Sequence, residues 1–201
     1  MLRSYVKFRE WLGSWPWKET NVVDVGACVG SFTLAAAEML EGAKLSAFEP
    51  WPDALLWLEQ NLRSQNAMHC RLHRMAASNQ AGQVWMTEGP RWGMSSLHGE
   101  GAGLMVEAAR LDDVVRSPVS LMKLDVEGHE WEVLSGAMTI IERDHPRLII
   151  EMRKDLLVKA GHTPEDVTDF LYERGYGYQL ALTKQDYLFS TEKEIAKWAA
   201  M

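Results

Sequence analysis

Carboxylates recur where short hydrophobic runs break off. Asp24 stands among Val22, Val23 and Val25, Glu49 ends the run 45–48, Asp125 ends the run 119–124 and is followed by Glu127 and Glu130, and Glu151 closes the apolar run 148–150. Acids so placed accept hydrogen bonds from ligand hydroxyls, take up a proton, or ligate a divalent cation. Glycines accompany two of the acids: Gly26 and Gly30 follow Asp24, and Gly128 follows Glu127. At such points the backbone can turn tightly and approach a ligand.

The spacing around the first acid describes a nucleotide cradle. A buried strand opens near Asp24 into a glycine turn, an alanine-rich helix runs over 31–41, and a second strand ends at Glu49. A dinucleotide fingerprint needs glycines at 26, 28 and 31; Cys28 and Ser31 occupy the last two places, so a pyrophosphate does not obviously fit. Glu49 can instead accept both ribose hydroxyls of a nucleoside, while Asp24 faces a positive group. S-adenosylmethionine has an adenosine end, no phosphate and a positive group, and satisfies both acids. Taken alone, residues 21–50 also suit other α/β nucleotide or flavin folds.

This stretch resembles the first motif of the class I, Rossmann-like methyltransferases, and LMKLDVEGHEWEVLSGA at 121–137 resembles the signature of the FkbM family. The resemblance covers about residues 20–155, with Lys123, Asp125, Glu127, Gly128 and Glu130 at the motif positions. It implies an α/β fold: a mostly parallel seven-stranded sheet, helices on both faces, and an antiparallel C-terminal strand pair. It also implies transfer of a methyl group from S-adenosylmethionine, mostly to hydroxyl oxygens of sugars, polyketides or other small molecules. On this reading the cofactor is held by Asp24, Gly26, Ala27, Gly30, Ser31, Phe32, Glu49, Pro50, Trp51, Ala76, Ala77 and Asp125. Ala76 and Ala77 end the third strand, expected over 69–75, where small groups leave room for an adenine.

A hydroxyl acceptor benefits from a general base, because alcohols are poor nucleophiles at neutral pH. Asp125, Glu127 and His129 are the candidate catalytic residues. Asp125 suits the cofactor side, Glu127 and His129 the acceptor side, and His129 has the ordinary pKa best matched to neutrality. It can equally be a cap at the first turn of its helix. Glu151, at the end of the next strand, is expected to face the same rim as a substrate or ion-pair residue, with Lys123 or Arg153 as its counter-charge. Asp125, Glu127 and Glu151 could supply oxygen ligands to a divalent metal, but their spacing is not specific enough to assign one, and no metal is predicted.

Elements able to position these groups follow from hydrophobic periodicity. Residues 1–20 carry a short helix around Tyr5, Phe8, Trp11 and Leu12, broken at Gly13 and Pro16, that packs on the sheet or covers the cleft. A helix over 53–64 follows Pro52, and strands over 84–87 and 104–107 pair as a small edge hairpin. The irregular stretch 89–103 is the expected lid, with Trp92, Ser95 and Ser96 toward the substrate and Trp15 and Trp17 as further stacking aromatics. Asp112 is expected to cap a helix. Thr163, Pro164 and Asp166 start another helix, strands at 178–182 and 187–189 form the terminal pair, and Thr191 with Glu194 caps a last helix.

With 201 residues, 47% of them hydrophobic, the chain is expected to be a single domain with a sizeable core. A net charge of -7 argues against a broad grip on nucleic acid. Two cysteines in unlike surroundings suggest a reducing compartment. No run approaches the length of a spanning helix, so a cytoplasmic monomer or homodimer without a membrane partner is expected. Two other readings fit less well: a methyltransferase acting on nitrogen or a macromolecule, which would favour an Asn or Asp followed by two prolines where Asp125 to Gly128 stand, and a silent binding module, which would have no need of crowded carboxylates.

Overall fold

The computed structural model describes residues 2–14, 21–89, 96–97 and 101–192. Trp15, Trp17, Trp92, Ser95 and most of the expected last helix lie outside them. Among the described residues a seven-stranded sheet runs in the order β3 (Arg71–His73), β2 (Lys44–Phe48), β1 (Asn21–Val25), β7 (Leu121–Leu124), β8 (Arg147–Glu151), β10 (Asp186–Ser190), β9 (Tyr178–Ala181). The first five strands pair in parallel, while β10 is antiparallel to both its neighbours. This is the expected α/β architecture, Rossmann-like and with the antiparallel C-terminal pair.

Strand alternation sorts the core into two layers. Val22, Leu45, Leu121, Ile149 and Leu188 face a cluster built with Phe8, Phe32, Leu34 and Leu58 from α1 (Leu2–Gly13), α2 (Ser31–Met39) and α3 (Pro52–Ser64). Val23, Val25, Met122, Leu124, Leu148, Ile150 and Phe189 face the opposite layer, which includes Leu111 of α4 (Leu111–Val114), Val133 of α5 (Glu130–Ser135), Ile140 of α6 (Met138–Asp144), Leu157 of α7 (Lys154–Lys159) and Val167 of α8 (Pro164–Tyr172). A central strand buried on both sides reads as a near-continuous apolar run, which is why β1 and β7 stand out in the sequence. Helix α1 docks through Phe8 and Leu12, whose burial contributes about 1.5–3 kcal/mol each. Phe8 meets Phe32 of α2 edge to face at 5.3 Å.

The edge hairpin is present and larger than expected. β5 (Gly82–Thr87) pairs antiparallel with β6 (Gly103–Ala109), and β4 (Ala76–Ala77) joins β6 in parallel to complete a three-stranded sheet. The third strand expected over 69–75 is therefore shorter. After His73 the chain leaves the main sheet, and the small side chains of Ala76 and Ala77 allow close pairing with Ala108 and Ala109. Helices α6 and α7 were not expected. They have 7 and 6 residues, too short for a periodic signal. Asp112 does act as a cap, but of a remote helix: its carboxylate accepts the Thr139 and Ile140 amides at 3.0 Å each, at the start of α6.

Candidate active site

The chain runs outward through β1, β2 and β3, then returns to place β7 on the other side of β1. Loops therefore diverge between β1 and β7 at the carboxyl ends of the strands, where open α/β sheets bind ligands. A cleft of about 390 Å³ opens there. Gly26 marks its floor, with φ 77° and a position where a Cβ would lie 1.8 Å from the Asp125 carbonyl oxygen. Gly30 serves packing instead: it does not line the cleft, and a Cβ there would lie 2.6 Å from Leu58 of α3.

Asp24 lies inside β1, one residue before its end and, as expected, close to where the strand opens into the loop. Its register partner on β7 is Lys123, and both side chains are buried. Asp24 Oδ2 accepts a 2.6 Å hydrogen bond from Thr33, while Oδ1 has no hydrogen-bond partner among the described residues and stands 3.9 Å from Lys123 Nζ. Burial raises its pKa, and Lys123 and Thr33 oppose the rise.

Glu49 is also buried, yet its two oxygens are aimed by main-chain donors: Oε2 accepts the Cys28 amide and Oε1 the Trp51 amide, each at 2.8 Å. Burial pushes its pKa up to about 7 against the pull of those two amides. Cys28 works through its N–H, with φ 51°, and a role carried by the backbone leaves no signature in residue type. Ala27, Ser31, Phe32, Pro50, Trp51, Ala76 and Ala77 line the same cleft.

The second acidic turn closes the other side. Lys123 Nζ lies 2.9 Å from Asp125 Oδ2, and Arg153 donates to Glu127 Oε2 at 3.1 Å. Oxygens of Asp125, Glu127 and Glu151 lie within 4.8 Å of one another. Burial would raise the Asp125 pKa, but the charge and hydrogen bond of Lys123, with a hydrogen bond from Glu151, hold it below the usual range. Burial, then the charge of Asp125, pushes Glu127 to about 7 and Glu151 to about 8. The cations expected for Glu151 are thus spent on its neighbours, and its carboxyl leans on Asp125.

His129 and Glu130 shape the turn. His129 Nε2 lies 3.0 Å from Ser78 Oγ and Nδ1 lies 3.4 Å from Glu132, so both ring nitrogens are engaged although the residue borders the cleft. Glu130, 1% exposed, accepts the Val126 and Gly128 amides at 3.2 Å each. The second glutamate of the motif therefore builds the loop. Ser96 donates to the Glu127 carbonyl at 3.1 Å, joining the described part of 89–103 to the turn. Lys7 of α1 is a cleft residue that the sequence reading missed; it is ion-paired with Asp186 at 2.9 Å. Nothing in residue type or spacing signals that contact, since 179 positions separate the partners.

Residues 24–180 match the family described as Methyltransferase FkbM domain. The chain belongs to the FkbM methyltransferase family. It is 26% identical over 193 residues to the methyltransferase sdnD of Sordaria araneosa, covering 77% of this chain and 73% of that protein. It is 28% identical over 169 residues to the hexuronic acid methyltransferase AglP of Haloferax volcanii, covering 81% and 66%. Among solved structures, an FkbM methyltransferase from Methylobacillus flagellatus KT superposes with a TM-score of 0.63 at 20% identity, over 86% of this chain and 43% of that one. The chain thus spans less than half of that structure. This likeness is one of fold.

S-adenosylmethionine is the cofactor expected of an FkbM methyltransferase, and the cleft fits it. Glu49 is preset by two amides, and each of its oxygens keeps a lone pair for a ribose hydroxyl. Asp24 Oδ1 is a buried acceptor still open to a cationic donor. For a divalent metal the donor set is less apt, because two of the three clustered FkbM acids already hold a cation of the chain itself.

Proposed function

We propose that the chain transfers the methyl group of S-adenosylmethionine to a hydroxyl oxygen of a small molecule such as a sugar or natural product. The observation that carries this reading is the convergence of Asp125, Glu127 and Glu151 on the rim that also holds Asp24 and Glu49. When bound, the cofactor supplies a methyl group on a positively charged sulfur, already activated for in-line displacement. What remains for the chain is orientation and a route for the acceptor's proton.

Glu49 holds the ribose, and Asp24 with Asp125 faces the cationic end. Asp125 stays ionised beside Lys123. Glu127, with its pKa near 7, takes the acceptor's proton. Glu151 and Ser96 orient the acceptor, joined by Trp92 and Ser95 from the segment outside the described residues. His129 steadies the turn through Ser78 and Glu132. AglP is named for a hexuronic acid, which makes sugars the acceptor class to try first. The acidic chain acts as a monomer or homodimer without nucleic acid.

The test is transfer of labelled methyl from the cofactor to a panel of sugars, uronic acids and natural-product alcohols, with the matching amines alongside. Transfer to hydroxyls is expected, with a rate that rises as pH approaches about 7, where Glu127 ionises. Transfer to amines alone would overturn the hydroxyl assignment. Failure to bind either the cofactor or its demethylated product would overturn the methyltransferase reading.

A further inference from the structure

The amino-acid end of S-adenosylmethionine carries a carboxylate as well as an ammonium, and the cleft offers little to the carboxylate. Acids dominate the lining: Asp24, Glu49, Asp53, Glu88, Asp125, Glu127, Glu151 and Asp186. Among the described residues, two lysines stand against them, Lys7 and Lys123. A carboxylate brought in without a cation would meet both repulsion and desolvation.

Lys123 is already committed. Its side chain is 4% exposed, and its ammonium balances Asp125 at 2.9 Å and Asp24 at 3.9 Å. Diverting it would leave the buried Asp24 and the half-buried Asp125 uncompensated. Lys7 is differently placed: its side chain is 33% exposed, and its ammonium lies on the cleft wall. One contact to Asp186 Oδ2 at 2.9 Å uses one of its three hydrogens. The rings of Trp11 and Phe8, with centroids at 4.5 and 4.9 Å, hold the ammonium in place without consuming a conventional acceptor. Asp186 Oδ2 also accepts from Thr183 at 2.6 Å, so it has a second donor when Lys7 is shared.

We propose that Lys7 binds the carboxylate of the cofactor's amino-acid end, which makes α1 a wall of the binding site as well as a cover for the sheet. The inference rests on the methyltransferase reading and deepens it, assigning a terminal helix to recognition of one ligand group.

Calorimetric titration of wild type, Lys7→Met and Lys7→Arg with two ligands tests it. One ligand is S-adenosylhomocysteine; the other is its decarboxylated analogue, which keeps the nucleoside, thioether and ammonium. Lys7→Met should weaken S-adenosylhomocysteine about 10- to 100-fold, as expected for a hydrogen bond between charged groups, and Lys7→Arg should recover most of that loss. The decarboxylated analogue should bind wild type and Lys7→Met within about twofold of each other. Equal weakening of both ligands would mean that Lys7 acts only by anchoring α1, and would overturn the proposal. Unchanged affinity for both would do the same. A wild type that binds neither ligand would fail one step earlier, at the methyltransferase reading itself. Should Lys7→Met not fold, Lys7→Gln serves the same comparison.

Discussion

Glu49 is buried with its two oxygens pointed by amides from two different loops, an arrangement that orders a carboxylate before any ligand arrives. Replacing Glu49 by Ala removes that acceptor pair and should weaken S-adenosylhomocysteine about 10- to 100-fold, with a smaller effect on turnover at saturating cofactor. Calorimetry reads the first quantity and saturation kinetics the second; unchanged affinity would remove the ribose role. At this scale the acids were legible as types at strand ends, but their division of labour was not. Glu127 and Glu130 are the same residue type three positions apart, yet one faces Arg153 at the rim and the other ties up the loop amides beneath it. Only the turn, with Glu127 at φ 52°, decides which carboxylate points where.

At the scale of elements, two glycine- and cap-dependent junctions set the site. Gly26 lets the β1 and β7 loops touch. Gly26→Ala puts a Cβ 1.8 Å from the Asp125 carbonyl and forces a left-handed φ on a residue with a side chain. A loss of at least about 1–3 kcal/mol in urea unfolding is expected, together with weaker binding of the demethylated cofactor as the loops part. Asp112 sets the other junction, at the start of α6. Asp112→Ala frees two amides of α6 and should cost about 0.5–2 kcal/mol, or a few degrees in melting temperature. Because Asp112 does not border the cleft, cofactor affinity should stay at the wild-type value. That Asp112 caps something was readable from its type; which helix it caps was not, since the partner amides lie 27 and 28 positions away.

Across the whole molecule, crowding of acids should make the ligand-free chain sensitive to alkali. Burial raises Glu49, Glu127 and Glu130 from 4.5 to about 7, and Glu151 to about 8. Between those values the folded chain holds protons that the unfolded chain has released, so stability is greatest at the acid end of the window and falls as pH rises. Asp144, Asp155 and Asp166 have lowered pKa values, so their contribution is lost only as pH falls below about 4. The melting temperature of the ligand-free chain should therefore decline from about pH 5 to about pH 8 and level off above. A melting temperature that stays flat across that interval would show that these carboxyls are ionised in the folded state.

Local chemistry and periodicity were enough to determine the order of the parallel strands' building units, the glycine turns, the capping box at Thr163 and the two acidic stretches, because each is written within a few neighbouring residues. Tertiary structure alone decided that Lys123 neutralises the interior rather than Glu151, that Ala76 and Ala77 leave for a second sheet, and that Lys7 of the first helix reaches the cleft beside Asp186. Each of these depends on which strands lie side by side. A charge finds its partner by distance in space, and the hydrophobic pattern that drives the chain together carries no record of which ionic groups will then face one another.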